Sequence, residues 1–191
     1  MYLLIGVWGS GRKEYAAMKL TLMLMGGSAF LLIGILGIFY GAGGETMNLL
    51  EIAKLHIPHE MQRIFFPLIF LGFGVLGALF PFHTWSPDGH ASAPTAVSML
   101  HAGVLMKLGG YGCFRVAMYL MPEGAAMWGD VFLILTTISV VYGAFSAVVQ
   151  TDLKYINAYS SVSHCGLVLF ALLMMTRTSC TGAVSYTHLT L

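Results

Sequence analysis

Residues 99–121 read MLHAGVLMKLGGYGCFRVAMYLM, an apolar run in which Lys107 stands near the middle. A helix of about 20 apolar residues crosses the hydrocarbon core of a bilayer. Because that core offers no water to backbone amides and carbonyls, a crossing segment has to satisfy them within a helix. The run therefore predicts a transmembrane helix that carries one cationic side chain at depth.

The composition of the whole chain agrees with membrane insertion. Of 191 residues, 58% are hydrophobic and 9% are charged, whereas soluble domains carry about 25% charged residues. The net charge of +1 provides no basic surface for nucleic acid. The three cysteines, Cys113, Cys165 and Cys180, form no CxxC pair, so neither a disulfide framework nor a zinc site is indicated. No motif indicates a cofactor or another metal.

Hydropathy along the chain predicts an all-α, polytopic transmembrane helix bundle, with about five full spans and one partial helix. Gly72, Gly74 and Gly77 precede Pro81, and this pattern predicts a kink or break over residues 77–82. Broken helices at membrane depth commonly line ion paths, although glycines also permit close helix packing. The partial helix is expected at residues 1–8, and the spans at 20–40, 64–80, 95–121, 131–149 and 155–176.

Both ends of the chain predict an internal fragment of a longer protein. Residues 1–8 resemble the final turns of a helix. Residues 184–191, VSYTHLTL, resemble a translated sequencing adapter. We therefore expect residues 1–183 to be a fragment of a membrane domain and residues 184–191 to be a non-native tail. From the positive charges of Arg12, Lys13 and Lys19, we expect the first connection to lie on the cytoplasmic side.

Lys107 is the first candidate functional residue. An ionised side chain near the bilayer centre costs about 2.5 to 3.5 kcal/mol on insertion scales, and such residues usually handle ions or protons. On a regular helix Lys107 shares a face with Gly103, Tyr111 and Arg115. Lys107 is therefore a candidate for proton transfer, the alternatives being a fixed structural ion pair or a side chain that reaches the interface.

Two histidines are the other candidates for proton transfer. His101 lies in the same predicted span as Lys107 but on another face, where it is either a proton relay or a satisfied core histidine. His164 ends a polar stripe with Asn157, Ser160 and Ser161 in the last span. That stripe must face protein or water rather than lipid. It either extends a hydrated path from Lys107 or joins helices through hydrogen bonds.

Two long motifs carry a resemblance to a known family: FPFHTWSPDGHASAPTAVSMLHAGVLMKLGGYG at 80–112 and TDLKYINAYSSVSHCG at 151–166. They resemble the antiporter-like proton-pumping subunits of respiratory complex I, NADH:quinone oxidoreductase, and of Mrp-type antiporters. Within that family, the subunit M group, the mitochondrial subunit 4 type, is most similar. The resemblance implies a bundle of about fourteen helices in two inverted repeats, with this chain covering the end of the fifth helix through the tenth.

The resemblance also implies roles for individual positions. The lysine of the family's LLK-x-x-x-YG segment, implicated in proton transfer, falls on Lys107, and His101 matches a histidine of the longer subunit L and of Mrp-type subunits. The family's paired glutamate would precede Met1. The lysine of the broken helix falls on position 76, which is Leu76 here. We therefore expect the proton relay to be shifted toward His101 and Lys107.

The function implied is that of a membrane subunit of a proton-translocating NADH:quinone oxidoreductase, without a redox active site of its own. The expected partners are other membrane subunits of complex I and the lipid bilayer, with protons as the only substrate and no nucleic acid. The expected location is multi-pass in the bacterial inner (cytoplasmic) membrane. Alternatives are a Mrp-type antiporter or energy-converting hydrogenase subunit, a membrane cytochrome with haem between His101 and His164, and a structural scaffold.

Overall fold

A computed structural model describes residues 1–44, 46–55 and 57–189, with side chains described as far as residue 185. Every regular element within these ranges is a helix, which confirms the all-α prediction. In chain order the helices, including two π-helical segments named π1 and π2, are α1 Tyr2–Trp8, α2 Lys13–Gly41, α3 Leu49–Ile52, α4 His59–Leu76, α5 Trp85–Ser92, α6 Thr95–Leu100, π1 His101–Leu105, α7 Met106–Gly112, π2 Cys113–Met118, α8 Pro122–Val149, α9 Leu153–Leu173 and α10 Arg177–Leu189.

Three helices of the described chain are long and apolar enough to cross a membrane, namely α2, α8 and α9. They coincide with the predicted spans at 20–40, 131–149 and 155–176. The other two predicted spans are interrupted rather than continuous. The span predicted at 64–80 is α4, which ends at Leu76, and the span predicted at 95–121 is divided into α6, π1, α7 and π2.

The predicted break after α4 is confirmed, and the surrounding side chains satisfy its backbone. The chain leaves the helix at Gly77, and Ala78 adopts a φ of 57°. The indole nitrogen of Trp85 donates to the carbonyl of Val75 at 3.0 Å, and the amide of Phe80 donates to Ser139 Oγ at 3.4 Å. Irregular backbone at membrane depth is tolerated where protein groups replace the missing helical hydrogen bonds.

A close backbone contact holds the break against α7. A Cβ atom on Gly109 would lie 2.6 Å from the amide nitrogen of Gly77 and 2.8 Å from the carbonyl oxygen of Phe73. The two helices can approach this closely only because Gly109 carries no side chain. The contact fixes where α4 ends relative to the interrupted helix, and hence where the following α5 is held.

Two of the three apolar clusters among the described residues surround the break and α5. One joins α4 to α8, where Phe70 and Phe132 have ring centroids 4.4 Å apart. The other surrounds Trp85 with Leu20 of α2 and Val162 of α9. The second cluster encloses α5, although the sequence reading placed this segment in a connection. The buried position of α5 is the main difference between the predicted and the observed architecture.

Smaller differences concern element ends. Residues 122–130, expected to be a connection, form the first turns of α8, because Pro122 is compatible with the first turn of a helix. Between α2 and α4 lies the short helix α3, capped by Asn48 Oδ1, which accepts from the amide of Leu50. Residues 45 and 56 lie outside the described ranges. The origin of residues 184–191 stays a prediction.

Candidate functional site

His101 lies at the centre of a stack of three rings. Its side chain is 0% exposed. On one side its ring centroid is 5.0 Å from that of Trp85, with an angle of 11° between the planes, and on the other it is 4.2 Å from that of His90, with 12°. His101 begins π1, and π-helical segments inside α-helices are frequent at functional sites. These contacts agree with the prediction that His101 and Lys107 lie on different faces of the helix.

Helix α5 positions the stack. Trp85 and His90 belong to this short helix, and Gly89 between them lies against the edge of His101. A Cβ atom at Gly89 would be 3.2 Å from His101 Cε1 and 2.9 Å from Leu20 Cδ1. The ring of His101 therefore fits between α5 and α2 because position 89 has no side chain.

The stack contains polar atoms that protein groups do not satisfy. His90 Nδ1 lies 2.9 Å from Ser98 Oγ. Among the described residues, His90 Nε2 and both ring nitrogens of His101 have no hydrogen-bond partner. Buried polar atoms are otherwise nearly always paired, with protein or with ordered water. These three nitrogens are therefore the points at which the stack can gain or release a proton.

A charged cluster adjoins the stack on α5. Lys19 Nζ lies 2.7 Å from Asp88 Oδ2, and the hydroxyl of Tyr155 donates to Asp88 Oδ1 at 3.4 Å. An open cavity of about 330 Å³ leads to Asp88, with Arg12 and Tyr15 in its wall. Since Arg12 belongs to the first connection, this cavity gives aqueous access to α5 from that side of the bundle.

Lys107 is half-buried on α7 and faces α9. Its charge acts on the thiol of Cys165, and one turn further on, a Cβ atom at Gly110 would be 3.5 Å from Val168 Cγ1. A regular helix would place Gly103, Lys107, Tyr111 and Arg115 on one face. That spacing is altered, because π1 and π2 interrupt the α-helix on either side of α7. The helix α7 packs against both α4 and α9.

His164 lies on the outward side of α9, where its side chain is exposed. Its Nε2 is 3.2 Å from Ser160 Oγ. Ser161 Oγ donates to the carbonyl of Asn157 in the same helix, at 2.9 Å. The residue next to His164 is Cys165, on which the charge of Lys107 acts. Lys107 and His164 therefore lie at similar heights along the adjacent helices α7 and α9.

The structure places His101 and His164 in different surroundings, which does not favour the haem alternative. That alternative required the two imidazoles to face each other across the bundle. Instead, His101 is enclosed by Trp85 and His90, whereas His164 is exposed beside Ser160.

Sequence reasoning missed His90, Trp85 and the pair of Lys19 with Asp88. All but Lys19 lie in the segment 81–94, which was treated as a polar connection. The signal that could have found them is the break itself. A segment that follows a broken helix and carries Trp, Asp and His between two prolines is a candidate for return into the bundle.

Comparison with known proteins gives the family. Residues 1–190 match the family described as NADH:quinone oxidoreductase/Mrp antiporter, transmembrane. The chain belongs to this family. The resemblance read from the two long motifs is therefore confirmed, and the chain is a multi-pass membrane protein. Since the family assignment does not single out residues, the roles of Lys107, His101 and His164 stay predictions.

Individual members are similar over nearly the whole chain. NAD(P)H-quinone oxidoreductase chain 4, chloroplastic, of Citrus sinensis is 40% identical over 96% of this chain and 37% of the relative. A chain of respiratory complex I from Thermus thermophilus superposes with a TM-score of 0.89 at 28% identity, over 96% of this chain and 39% of that one. A chain of the Mrp complex from Dietzia sp. DQ12-45-1b gives a TM-score of 0.86 at 25% identity, over 97% and 20%. The chain thus spans 37% of the length of that curated relative.

Proposed function

We propose that this chain forms the proton-conducting part of a membrane subunit of a proton-translocating NAD(P)H:quinone oxidoreductase. In this proposal the redox chemistry takes place in partner subunits, and other membrane subunits of the complex flank this one. The subunit lies in the inner membrane of a bacterium. Membership of the family over residues 1–190 supports the proposal, as does the 40% identity to a chain 4 protein of such an enzyme.

The observation that carries the proposal is the place of Lys107. The interrupted helix carries the ammonium group against α9, where its charge acts on Cys165. Keeping a cation at this depth costs free energy, and residues that are kept there usually handle ions or protons. We therefore assign proton exchange to Lys107.

The remaining groups supply a path on either side of Lys107. From the first connection, the cavity reaches Asp88 of α5, and the same helix carries His90, which stacks on His101. On the other side, Ser160 and His164 continue the polar groups to the outward face of α9. Imidazoles exchange protons near neutral pH. Leu76, at the end of α4, offers no such group, so we assign the relay to His101 and Lys107, with His164 as the exit candidate.

Replacement of Lys107 tests the proposal. In the full-length subunit within its assembled complex, Lys107→Ala is expected to abolish proton pumping driven by NADH oxidation while assembly is retained. Lys54→Ala is the matched control, because Lys54 is exposed in the turn after α3 and should leave pumping unchanged. An unchanged number of protons per NADH in Lys107→Ala would refute the proposal.

A second candidate function is that of a cation/proton antiporter subunit. The likeness to a chain of the Mrp complex favours it. Vesicles that contain the complex separate the two functions. Proton uptake driven by a sodium gradient in the absence of NADH would support the antiporter, whereas pumping that requires NADH would support the oxidoreductase subunit.

A further alternative is that the chain is only a structural scaffold. In that case, replacing both Lys107 and His101 would leave pumping intact.

A further inference from the structure

We propose that His90 is a second proton-carrying residue, and that His90 and His101 act together as a stacked pair that holds one proton at a time. The inference rests on the proposed function, because it adds His90 to the same proton path and limits the pair of histidines to one bound proton. His90 belongs to α5 and lies inside the first long motif, in which the sequence assigned it no role.

The geometry of the pair limits its charge. The ring centroids are 4.2 Å apart and the planes are inclined by 12°, so two imidazolium ions would lie face to face in a buried site. Like charges at this separation repel strongly where water is excluded. One protonated ring beside one neutral ring avoids that repulsion, and the second face of His101 lies against Trp85, an aromatic surface that stabilises a cation.

The repulsion between the two rings is the influence that a neighbouring charge exerts on His101. Among the described residues, His90 is the titratable group whose charge acts on His101. The neighbouring charged groups are engaged elsewhere. Lys19 of α2 is paired with Asp88, as is the hydroxyl of Tyr155 of α9. The ammonium of Lys154 donates to the carbonyls of Ala91 and Ala93, and His83 stacks with Phe80.

The hydrogen bonds of His90 allow it to take up and release a proton. Its Nδ1 is 2.9 Å from Ser98 Oγ, and a hydroxyl can either accept from or donate to that nitrogen. When Nδ1 donates to Ser98, the lone pair of Nε2 is available for a proton. When Ser98 donates to Nδ1, Nε2 carries the hydrogen. In both states the buried Nε2 has no protein partner among the described residues, so no protein group fixes whether it carries a hydrogen.

Parallel rings cannot pass a proton directly to each other, because the N–H bonds point along the ring planes. A proton therefore reaches or leaves each ring at its edge, where the unpaired nitrogens lie. Protonation of His90 requires a neutral His101, and release from one ring permits uptake by the other. The pair acts as a gate that admits single protons between the cavity at Asp88 and Lys107.

The test uses the assembled complex in membrane vesicles, with proton pumping measured per NADH oxidised. His90→Gln and His101→Gln are each expected to slow pumping by about 100-fold, the lower end for loss of a positioned acid or base. The double variant should be no slower than either single variant, because residues that act as one unit give non-additive losses. The control is His59→Gln, since His59 is exposed and paired with Glu123 at the far end of α4.

A fixed charge at position 90 distinguishes a proton-carrying role from a structural one. His90→Lys places a permanent cation beside His101, so the pH at which pumping is half-maximal should move to lower values. In His90→Gln, where a neutral group replaces the repelling neighbour, the residual pumping should have its midpoint at higher pH. Identical midpoints in both variants, or losses that add in the double variant, would overturn the inference.

The outcomes separate this inference from the proposed function. If Lys107→Ala and His101→Gln lose pumping while His90→Gln pumps like the unaltered complex, the inference fails and the proposed function stands. If all three variants pump normally, the proposed function fails as well. Should His90→Gln reduce assembly, Ser98→Ala provides the second variant. It removes the hydroxyl that permits both states of His90, and normal pumping in Ser98→Ala would contradict the inference.

Discussion

The buried ring stack and the outward stripe of α9 place the same kinds of side chain in opposite surroundings. His101 is 0% exposed and flanked by two rings, whereas His164 is exposed and lies beside Ser160 of its own helix. The groups of the stripe satisfy one another along the helix. The side chains of the stack, in contrast, contact residues on helices that are distant in sequence.

This difference indicates which region of the molecule is more sensitive to single substitutions. In the stack, the position of α5 depends on the broken helix, on one indole hydrogen bond and on a glycine contact. In the stripe, each polar group keeps its local partner even if the neighbouring helices shift. Substitutions near the break should therefore cost far more than substitutions on the outward side of α9.

The largest effect is expected from Gly109→Ala. The added methyl group would lie 2.6 Å from the amide nitrogen of Gly77, and a backbone atom cannot rotate away. Overpacking of this kind typically costs about 1 to 3 kcal/mol, and we expect the upper end. The measurement is the temperature at which half of the solubilised complex loses its assembled form. Gly26→Ala is the control, because a Cβ atom there meets nothing within 4 Å.

A smaller loss is expected from Trp85→Phe. The substitution keeps a ring in the stack but removes the N–H group that donates to the carbonyl of Val75. An unsatisfied buried acceptor costs about 1 to 3 kcal/mol. Trp128→Phe removes a hydrogen bond of the same length to the carbonyl of Arg63. That bond lies at an exposed site where water can replace it, so equal losses of thermal stability in the two variants would contradict our account of the break.

The smallest effect is expected from Ser161→Ala. Its hydroxyl donates to the carbonyl of Asn157 in the same helix, and surface substitutions of this kind change stability by less than about 0.5 kcal/mol. Ser163→Ala removes a bond to the carbonyl of Val140 on the facing helix α8, for which interhelical values average roughly 0.6 kcal/mol. A thermal shift for Ser161→Ala as large as that for Gly109→Ala would show that the outward stripe is as constrained as the stack.

Much of the helical framework was predictable, because insertion into a bilayer depends on local composition. The spans at 20–40, 131–149 and 155–176 are each covered by one long helix apart from the last residues of the third, and the break at 77–82 follows from the glycines and Pro81. The candidate residues Lys107, His101 and His164 were identified by their chemistry at membrane depth. Their expected roles await the variants described above.

Other features depend on contacts that sequence spacing does not encode. The π1 and π2 segments change the register of the helix that carries Lys107, and no pattern of residues predicted them. The burial of α5 was missed because Asp88 and His90 are polar side chains typical of a connection. Their polarity is compensated by Lys19, Tyr155 and Ser98, which lie on three other helices.

By itself, the sequence determined that the chain is a helical membrane protein with a cation at depth and one broken helix. These properties follow from hydropathy and from the conformational limits of glycine and proline, which act over a few neighbouring residues. Only the tertiary structure decided that α5 returns into the bundle, that His90 stacks on His101 and that Lys107 faces α9. Those contacts join residues far apart in the chain, and their geometry exists only once the helices are packed.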